Sequence, residues 1–402
     1  MSNQYDVLIA GGGMVGGTLA CALGGSGLKV GVIEPQAVSA AESGYGLRVS
    51  AITLASQTVF ENVGAWAGMC AQCVAPVEAM RIWEANRVLH FDSADIGEPC
   101  LAWIIENSVI VAALAARLRQ FSNIDVFSPA RLNSVQIDAD RVQVRLEDGR
   151  TLEATLLVGA DGAESRVRHA AAIDWTRHDL AQSAIVAVVH TERPHRQTAF
   201  QHFLATGPLA FLPLAEPHAV SIVWSADQTR AAALMVLDDA AFNLELQAAF
   251  GDHLGSVQLA SARAAIPLAL GFARDYCTQR VALICDAAHT VHPLAGQGVN
   301  LGMLDAVALA EILLSAVVQQ RDLGAHALLR RYERARKGAD RGMQIVTGGF
   351  RYLFGSRLPA VQALRAAGLG LTEHLPALKE FFMRRASGLD GELPRLAQRG
   401  QR

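Results

Sequence analysis

Excess positive charge is the first thing this sequence lacks: 35 Lys and Arg stand against 38 Asp and Glu, and no dense basic stripe interleaved with aromatics runs along it. Nucleic acid is therefore not an expected partner. Charge of either sign is scarce, at 18% against a hydrophobic fraction of 51%. That balance excludes a disordered chain, which would be less apolar and more charged. Met1-Ser2-Asn3-Gln4-Tyr5-Asp6 offers no basic segment ahead of the first apolar run, so no secretory leader is expected. Nor does any charge-free apolar stretch reach about 18 residues. The longest apolar helix candidate, Leu301 to Val318, carries Asp305 and Glu311. These absences point to a cytoplasmic chain.

Cysteine is sparse too, with six residues at positions 21, 70, 73, 100, 277 and 285. Cys70 and Cys73 form a lone C-x-x-C with no second pair or His-x-x-x-His partner, so no metal site is expected and the thiols read as reduced. There is no internal repeat and no low-complexity linker. A chain of 402 residues suits two interleaved domains, each with a sizeable core.

What is present begins with a βαβ unit. Tyr5 to Ala10 reads as a strand, Met14 to Gly25 as a helix, and Val30 to Ile33 as a second strand. Between the first strand and the helix, Gly11-Gly12-Gly13-Met14-Val15-Gly16 fits G-x-G-x-x-G. In that setting the first glycine permits a tight turn, the second lets the backbone approach a pyrophosphate, and the third lets helix and strand pack closely. The helix N-terminus turns free N–H groups toward the phosphates. Glu34 ends the second strand, where a carboxylate can accept hydrogen bonds from ribose hydroxyls and disfavours a 2′-phosphate. FAD or NAD fits this site, and NADP does not.

Further along, helices are expected over Ser50 to Val63, Asn107 to Phe121 and Asp238 to Phe250. Val142 to Leu146 and Thr151 to Val158 flank Asp148-Gly149, a hairpin signature. Strands are expected over Val77 to Phe91, Ser183 to His190, Leu209 to Pro213, Ala219 to Trp224 and Val281 to Ile284, followed by an almost wholly helical remainder. The glycine motif and a second glycine loop near 296 lie far apart, with a β-rich block between them. The cofactor domain is therefore expected to be discontinuous.

Two later segments carry a resemblance. Leu157-Val158-Gly159-Ala160-Asp161-Gly162-Ala163-Glu164-Ser165-Arg166-Val167-Arg168 resembles the Asp-Gly motif of the flavoprotein aromatic hydroxylases. Cys285-Asp286-Ala287-Ala288-His289 through Pro293-Leu294-Ala295-Gly296-Gln297-Gly298-Val299-Asn300-Leu301-Gly302 resembles their Gly-Asp motif. All three motifs stand in the family's order and spacing.

Within that family the chain is most similar to the ubiquinone-biosynthesis hydroxylases, on Leu47 to Ile52, Ile104 to Ile110, Phe211 to Leu214, Ser221 to Ser225 and Arg330 to Arg334. One departure stands out: Cys285 occupies a place where the family usually has glycine. Either its side chain tightens the pocket, or the backbone there does not need a positive φ.

The resemblance implies an α/β fold, with a para-hydroxybenzoate-hydroxylase-like FAD-binding Rossmann domain, an inserted β-sheet substrate domain and a helical C-terminus. The expected boundaries are 1–75, 101–172 and 271–345 for the FAD domain, 76–100 and 173–270 for the substrate domain, and 346–402 for the helical region. It implies an FAD-dependent monooxygenase that hydroxylates a polyprenylphenol at C5 through a flavin C4a-hydroperoxide. Hydroxylation at C1 or C6, or of a soluble aromatic, is the alternative.

Cofactor contacts fall to Gly11, Gly13, Val15, Gly16, Glu34, Arg48, Asp161, Asp286, Gly298, Val299 and Asn300. Pro293, Gly296, Gln297 and His289 are expected at the reacting edge, His289 either placing water or substrate or else bracing the loop. Pro267, Glu106 and Asn107 fall on further matching stretches. O2 and NAD(P)H or a separate reductase complete the chemistry; no second G-x-G-x-x-G is present for a resident nicotinamide. A polyprenyl substrate implies peripheral contact at the inner face of a membrane. Phe350, Phe354, Phe381 and Phe382 interleaved with Arg351, Lys379, Arg384 and Arg385 suit that contact. A biosynthetic complex and a homo-oligomer are further expected partners.

Overall fold

The computed structural model describes residues 3–37, 46–84, 87–291, 297–355, 373 and 375–400. The architecture is the α/β arrangement that the resemblance implies: a Rossmann-type sheet, a second large sheet and a helical C-terminal region.

Continuous apolar sequence builds the first sheet. Gln4–Ala10 lies at its centre, paired in parallel with Val30–Ile33 on one side and Thr151–Gly159 on the other. Val7, Leu8 and Ile9 are fully buried, as expected for a parallel strand covered on both faces. Ile124–Phe127 and Val281–Leu283 extend the sheet in parallel on either side. The hairpin of Val142–Leu146 and Thr151–Gly159 forms as predicted. The helices Met14–Ala22 and Gln297–Val318 pack together on this sheet through glycines; a Cβ on Gly302 would come within 2.8 Å of Val15. Gln297–Val318 is long and apolar enough by composition to cross a membrane, yet most of it is buried in the protein.

Alternation builds the second sheet, of nine strands. Its central strands are Trp175–Thr191, Ala219–Asp227, Gly207–Pro213 and Thr198–Leu204, antiparallel throughout, with Ala79–Glu84 added in parallel to Thr198–Leu204. One face presents Phe211, Ile222 and Trp224 to the helices Gln228–Met235 and Asp239–Phe250, where Phe211 stacks on Phe250 with ring centroids 3.7 Å apart. The opposite face turns toward the first sheet and carries the cavity described below. A small sheet of Val49–Ile52, Ala102–Glu106 and Ala75–Val77 completes the described strands.

The strands Thr198–Leu204 and Ala264–Ala273 and the helix Gln228–Met235 were not expected, and two of the expected elements differ in their bounds. The helix predicted from Ser50 starts at Leu54, because Val49–Ile52 pairs as a strand with Ala102–Glu106 and Thr53 caps the helix, accepting from Ser56 N–H. The strand predicted over Ser183 to His190 runs from Trp175 to Thr191; its first half is too polar to alternate and is interrupted between Asp179 and Gln182. The side chains of Phe350, Arg351 and Phe354 lie outside the described residues.

Candidate active site

The glycine turn is shaped by contacts that a side chain would block. Gly11 has φ +101, and a Cβ there would sit 2.2 Å from the Ala160 carbonyl oxygen. A Cβ on Gly16 would sit 1.9 Å from the Gly11 oxygen. Gly13 is different: a Cβ there would meet nothing within 4 Å. It occupies the N-cap of Met14–Ala22 and provides no side-chain cap, so the first-turn N–H groups face open space. The Glu34 carboxylate accepts from Gly12 N–H (2.7 Å) and Gln36 N–H (2.9 Å). It is thereby held against the turn with lone pairs to spare for ribose hydroxyls.

The second motif supplies an acid at the other end of the site. Val281–Leu283 leads through Ile284 into a short 3-10 turn, Cys285–Ala287. Cys285 has φ +54, so the backbone keeps the left-handed conformation although the residue is not glycine. Such a residue stores roughly 1 kcal/mol of strain. The thiol also fills space, because a Cβ on Gly302 would lie 2.6 Å from Cys285 Sγ.

This turn aims Asp286 into the cavity. Burial raises the Asp286 carboxyl above its ordinary range, opposed by the positive charge of His289 and Arg48. Among the described residues no group donates a hydrogen bond to it. A half-buried acid that lines the cavity beside the phosphate cradle, with no donor of its own, fits the ribityl hydroxyls of FAD. Asp286→Ala is expected to weaken FAD binding by about 10- to 100-fold, the worth of a hydrogen bond to a charged group. Fluorescence titration of the apoprotein with FAD reads it, and an unchanged dissociation constant would remove Asp286 from the site.

Asp161, the acid of the Asp-Gly motif, is committed to its own loop. It accepts from Ser165 Oγ (2.5 Å) and Val167 N–H (3.2 Å), so it shapes the turn that faces the glycine motif. Arg168, which sequence reasoning left without a role, joins the two late motifs. It is 6% exposed and donates to the Ala163 and Ala287 carbonyls, with its guanidinium 3.8 Å from the Trp175 ring centroid.

Arg48, Val15, Gln297, Gly298 and Val299 line the same cavity. Among the described residues Arg48 forms no ion pair. Gln297 donates to the Ala386 carbonyl (3.3 Å). Asn300 is turned away from the cavity and braces the small sheet, accepting from Thr53 N–H and donating to the Ala51 carbonyl. Pro267 and Asn107 line the cavity, Asn107 accepting from Ser50 Oγ (2.7 Å). Glu106 accepts from Gly46 N–H (2.9 Å). Pro293 and Gly296 lie outside the described residues.

His289 is placed behind the cavity wall. It is 1% exposed and donates from Nε2 to Asp305 Oδ2 (2.6 Å). Arg336 bridges Asp305 (2.7 Å) and Asp340 (2.8 Å), both fully buried. Asp305 also accepts from Cys285 N–H (3.1 Å), which ties this ion cluster to the turn that carries Asp286. Burial works against the charged imidazole, but Asp305 and Asp340 outweigh it and hold the His289 pKa at about 9. His289 is thus held by acids of two helices, behind the turn that carries Asp286. The signal for this cluster was Asp305, one of two acids in an otherwise apolar helix. Cys70 and Cys73 are free, and burial raises both thiols, so they stay protonated.

The cavity itself measures about 1560 Å³, above the roughly 300–1,000 Å³ of an ordinary ligand pocket. It runs from the glycine cradle past Asp286, over the open face of the second sheet, to Phe381 and Phe382 of the helix Pro376–Ala386. One cofactor and one further apolar ligand fit that volume and shape.

A family model described as an FAD binding domain matches residues 4–347. The ubiquinone hydroxylase UbiL of Rhodospirillum rubrum is 39% identical over 399 residues, spanning 97% of this chain and 92% of its own. The 3-demethoxyubiquinol 3-hydroxylase of Escherichia coli is 35% identical over 393 residues, spanning 97% of this chain and 100% of its own. Among solved structures, Pseudomonas aeruginosa PqsL in complex with 2-aminobenzoylacetate is similar at a TM-score of 0.79 and 25% identity, over 92% of this chain and 100% of that one.

Proposed function

Because the chain belongs to the FAD-dependent aromatic monooxygenases built on this FAD binding domain, we propose that it hydroxylates a polyprenylphenol in ubiquinone biosynthesis, at ring carbon C5. FAD, when bound, supplies the chemistry that activates O2, with electrons from NAD(P)H or a separate reductase. The chain's own residues bind, orient and keep water out. Gly11, Gly13 and Gly16 shape the phosphate cradle, Glu34 and Asp286 would hold the sugar and ribityl hydroxyls, and Gln297 to Val299 would wall the flavin edge. These three residues stand in the first turn of the helix Gln297–Val318, whose N-terminal end would favour negative charge on the cofactor there.

The observation that carries the substrate class is the cavity floor. Met80, Ile82, Phe91, Ala210, Leu212 and Val223 make it apolar. Of the cations that line the cavity, Arg177 is engaged by Glu164 at 2.7 Å, Arg48 acts on Asp286 at the cofactor end, and Arg385 lies on the helix Pro376–Ala386 at the mouth. A soluble aromatic acid would call for a cation on the floor itself; a long hydrocarbon tail calls for this surface.

Deleting the gene and profiling quinone-pathway lipids by mass spectrometry tests the reading. A polyprenylphenol lacking only the C5 oxygen is expected to accumulate. A later intermediate moves the assignment to a sister ring position, and an unchanged profile in a strain with no second enzyme for the step sinks the lipid reading.

The same reading places the protein at a membrane surface. Phe381 is 55% and Phe382 37% exposed while both line the cavity, so an apolar mouth opens on the helix Pro376–Ala386. Its cations are partly matched, with Lys379 near Asp95 (3.8 Å) and Arg384 on Asp390 (3.2 Å). Contact through the aromatic mouth therefore matters more than charge. Co-flotation with phosphatidylcholine liposomes is expected, and its absence for both neutral and anionic liposomes removes the membrane contact.

A further inference from the structure

Gln201 breaks the apolar pattern of the cavity floor. Strand register places it in a row that reads Leu89, Ile82, Gln201, Ala210, Val223 across five strands. Every member of that row lines the cavity. Gln201 sits mid-strand in Thr198–Leu204 and is 6% exposed. Among the described residues none hydrogen-bonds its amide.

A leucine would satisfy the packing of this row. With no protein partner, this amide takes its hydrogen bonds from what fills the cavity, and an apolar ligand that displaced water there without replacing those bonds would leave it unpaired at a cost. Ser225, 3% exposed and two strands away on the same face, is a second uncharged polar side chain that these strands turn into the cavity. Neither group is charged, and the rim cation Arg177 is already engaged. The ligand group that suits them is therefore neutral and oxygen-bearing. The Gln201 amide can accept from a ring hydroxyl or donate to a ring ether oxygen.

We propose that Gln201 is the specificity-determining residue of the substrate site. Its amide holds an oxygen substituent of the aromatic ring and so fixes the ring's rotation about the axis of its apolar tail. A ring with a long apolar substituent slides and turns freely over an apolar floor, and one directional hydrogen bond removes that freedom. The anchor lies on a central strand, where packing on both sides fixes its position. The opposite wall of the cavity carries Asp286 and Gln297 to Val299. Fixing the rotation therefore selects which ring carbon faces that wall. This inference rests on the polyprenylphenol reading above.

Two probes separate the inference from that reading: 2-farnesylphenol and farnesylbenzene, each titrated into the full-length FAD-loaded enzyme while the flavin absorbance is followed. The wild type is expected to bind the phenol at least about 10-fold tighter, the worth of one hydrogen bond in a dry site. Gln201→Leu is expected to abolish that preference while binding farnesylbenzene at least as well. Gln201→Glu, which keeps an acceptor oxygen, is expected to retain it. In turnover, Gln201→Leu should give mixed ring positions and more peroxide released per hydroxylated product. Preference and a single product surviving in Gln201→Leu overturn the assignment alone. Equal loss of both probes in Gln201→Leu and Gln201→Glu also overturns it, since that is the signature of a structural residue. A wild type that binds neither probe removes the polyprenylphenol reading, and the assignment with it.

Discussion

Arg336→Met is expected to lower the unfolding free energy by about 3–5 kcal/mol, because removing one partner of a buried ion pair leaves uncompensated charge. Here the charges left behind are Asp305 and Asp340, both 0% exposed, facing a single imidazolium. The guanidinium binds one oxygen of each carboxylate and also reaches the Leu301 carbonyl at 3.4 Å. Arg336→Lys keeps the charge but not the fork, so its loss should be smaller. Urea denaturation with an unchanged slope would read both, and a loss below 1 kcal/mol for Arg336→Met would show that the cluster contributes little.

The same cluster sets a pH dependence. His289 is raised to about 9 in the fold, so its contribution is complete below about pH 6.5 and is lost as pH rises through about 9. Burial, helped by the charge of Asp305, raises Asp340 to about 7 against the pull of His289 and Arg336. Its contribution is likewise lost as pH rises, through about 7. Asp305 is held below the ordinary carboxylate range and loses its contribution only on acidification. Both raised groups give the same sign, so the melting temperature should fall between pH 6 and pH 9.5. His289→Gln should flatten the alkaline part of that fall. A wild-type melting temperature that is level across the range would contradict the charge states assigned to the cluster.

How far the sequence carried this picture depends on whether a feature is local. The glycine turn, Glu34 and the hairpin at Asp148-Gly149 are set by neighbours in sequence, and they were legible. Helix and strand over Ser50 to Val63 were not separable, because β-branched residues and a threonine cap both fit a helix until Ala102–Glu106 arrives as a strand partner. His289 was legible as a residue of the motif but not as a buried one, since Asp305 and Asp340 meet it from 16 and 51 residues away. Asp305 was noticed only as a charge inside an apolar helix, and Arg336 and Asp340 passed unremarked in a basic helical stretch. Gln201 could not be singled out either. An amide in a strand of alternating residues is unremarkable until the register shows apolar neighbours on every side of it.

The glycine turn allows the sharpest test of how the cofactor cradle is built. Gly16→Ala places a Cβ 1.9 Å from the Gly11 oxygen, a backbone atom that cannot move without shifting the first strand or the helix. The variant should lose both stability, by about 2 kcal/mol or more for an overpacked core, and FAD, emerging colourless from purification. Gly13→Ala separates the two effects. Its backbone, at φ -65, accepts alanine, and a Cβ there meets no protein atom within 4 Å. Its apoprotein should melt at or slightly above the wild-type temperature, since alanine narrows the unfolded ensemble. Its FAD affinity should nonetheless fall by about 10-fold or more, because the added methyl stands where the pyrophosphate approaches the backbone. Calorimetric titration of both apoproteins with FAD, beside their melting curves, gives the comparison. If Gly13→Ala bound FAD like the wild type, the phosphates would have to lie elsewhere than on this helix N-terminus. A Gly16→Ala protein that melted normally would mean that helix and strand are less closely packed than the 1.9 Å approach requires.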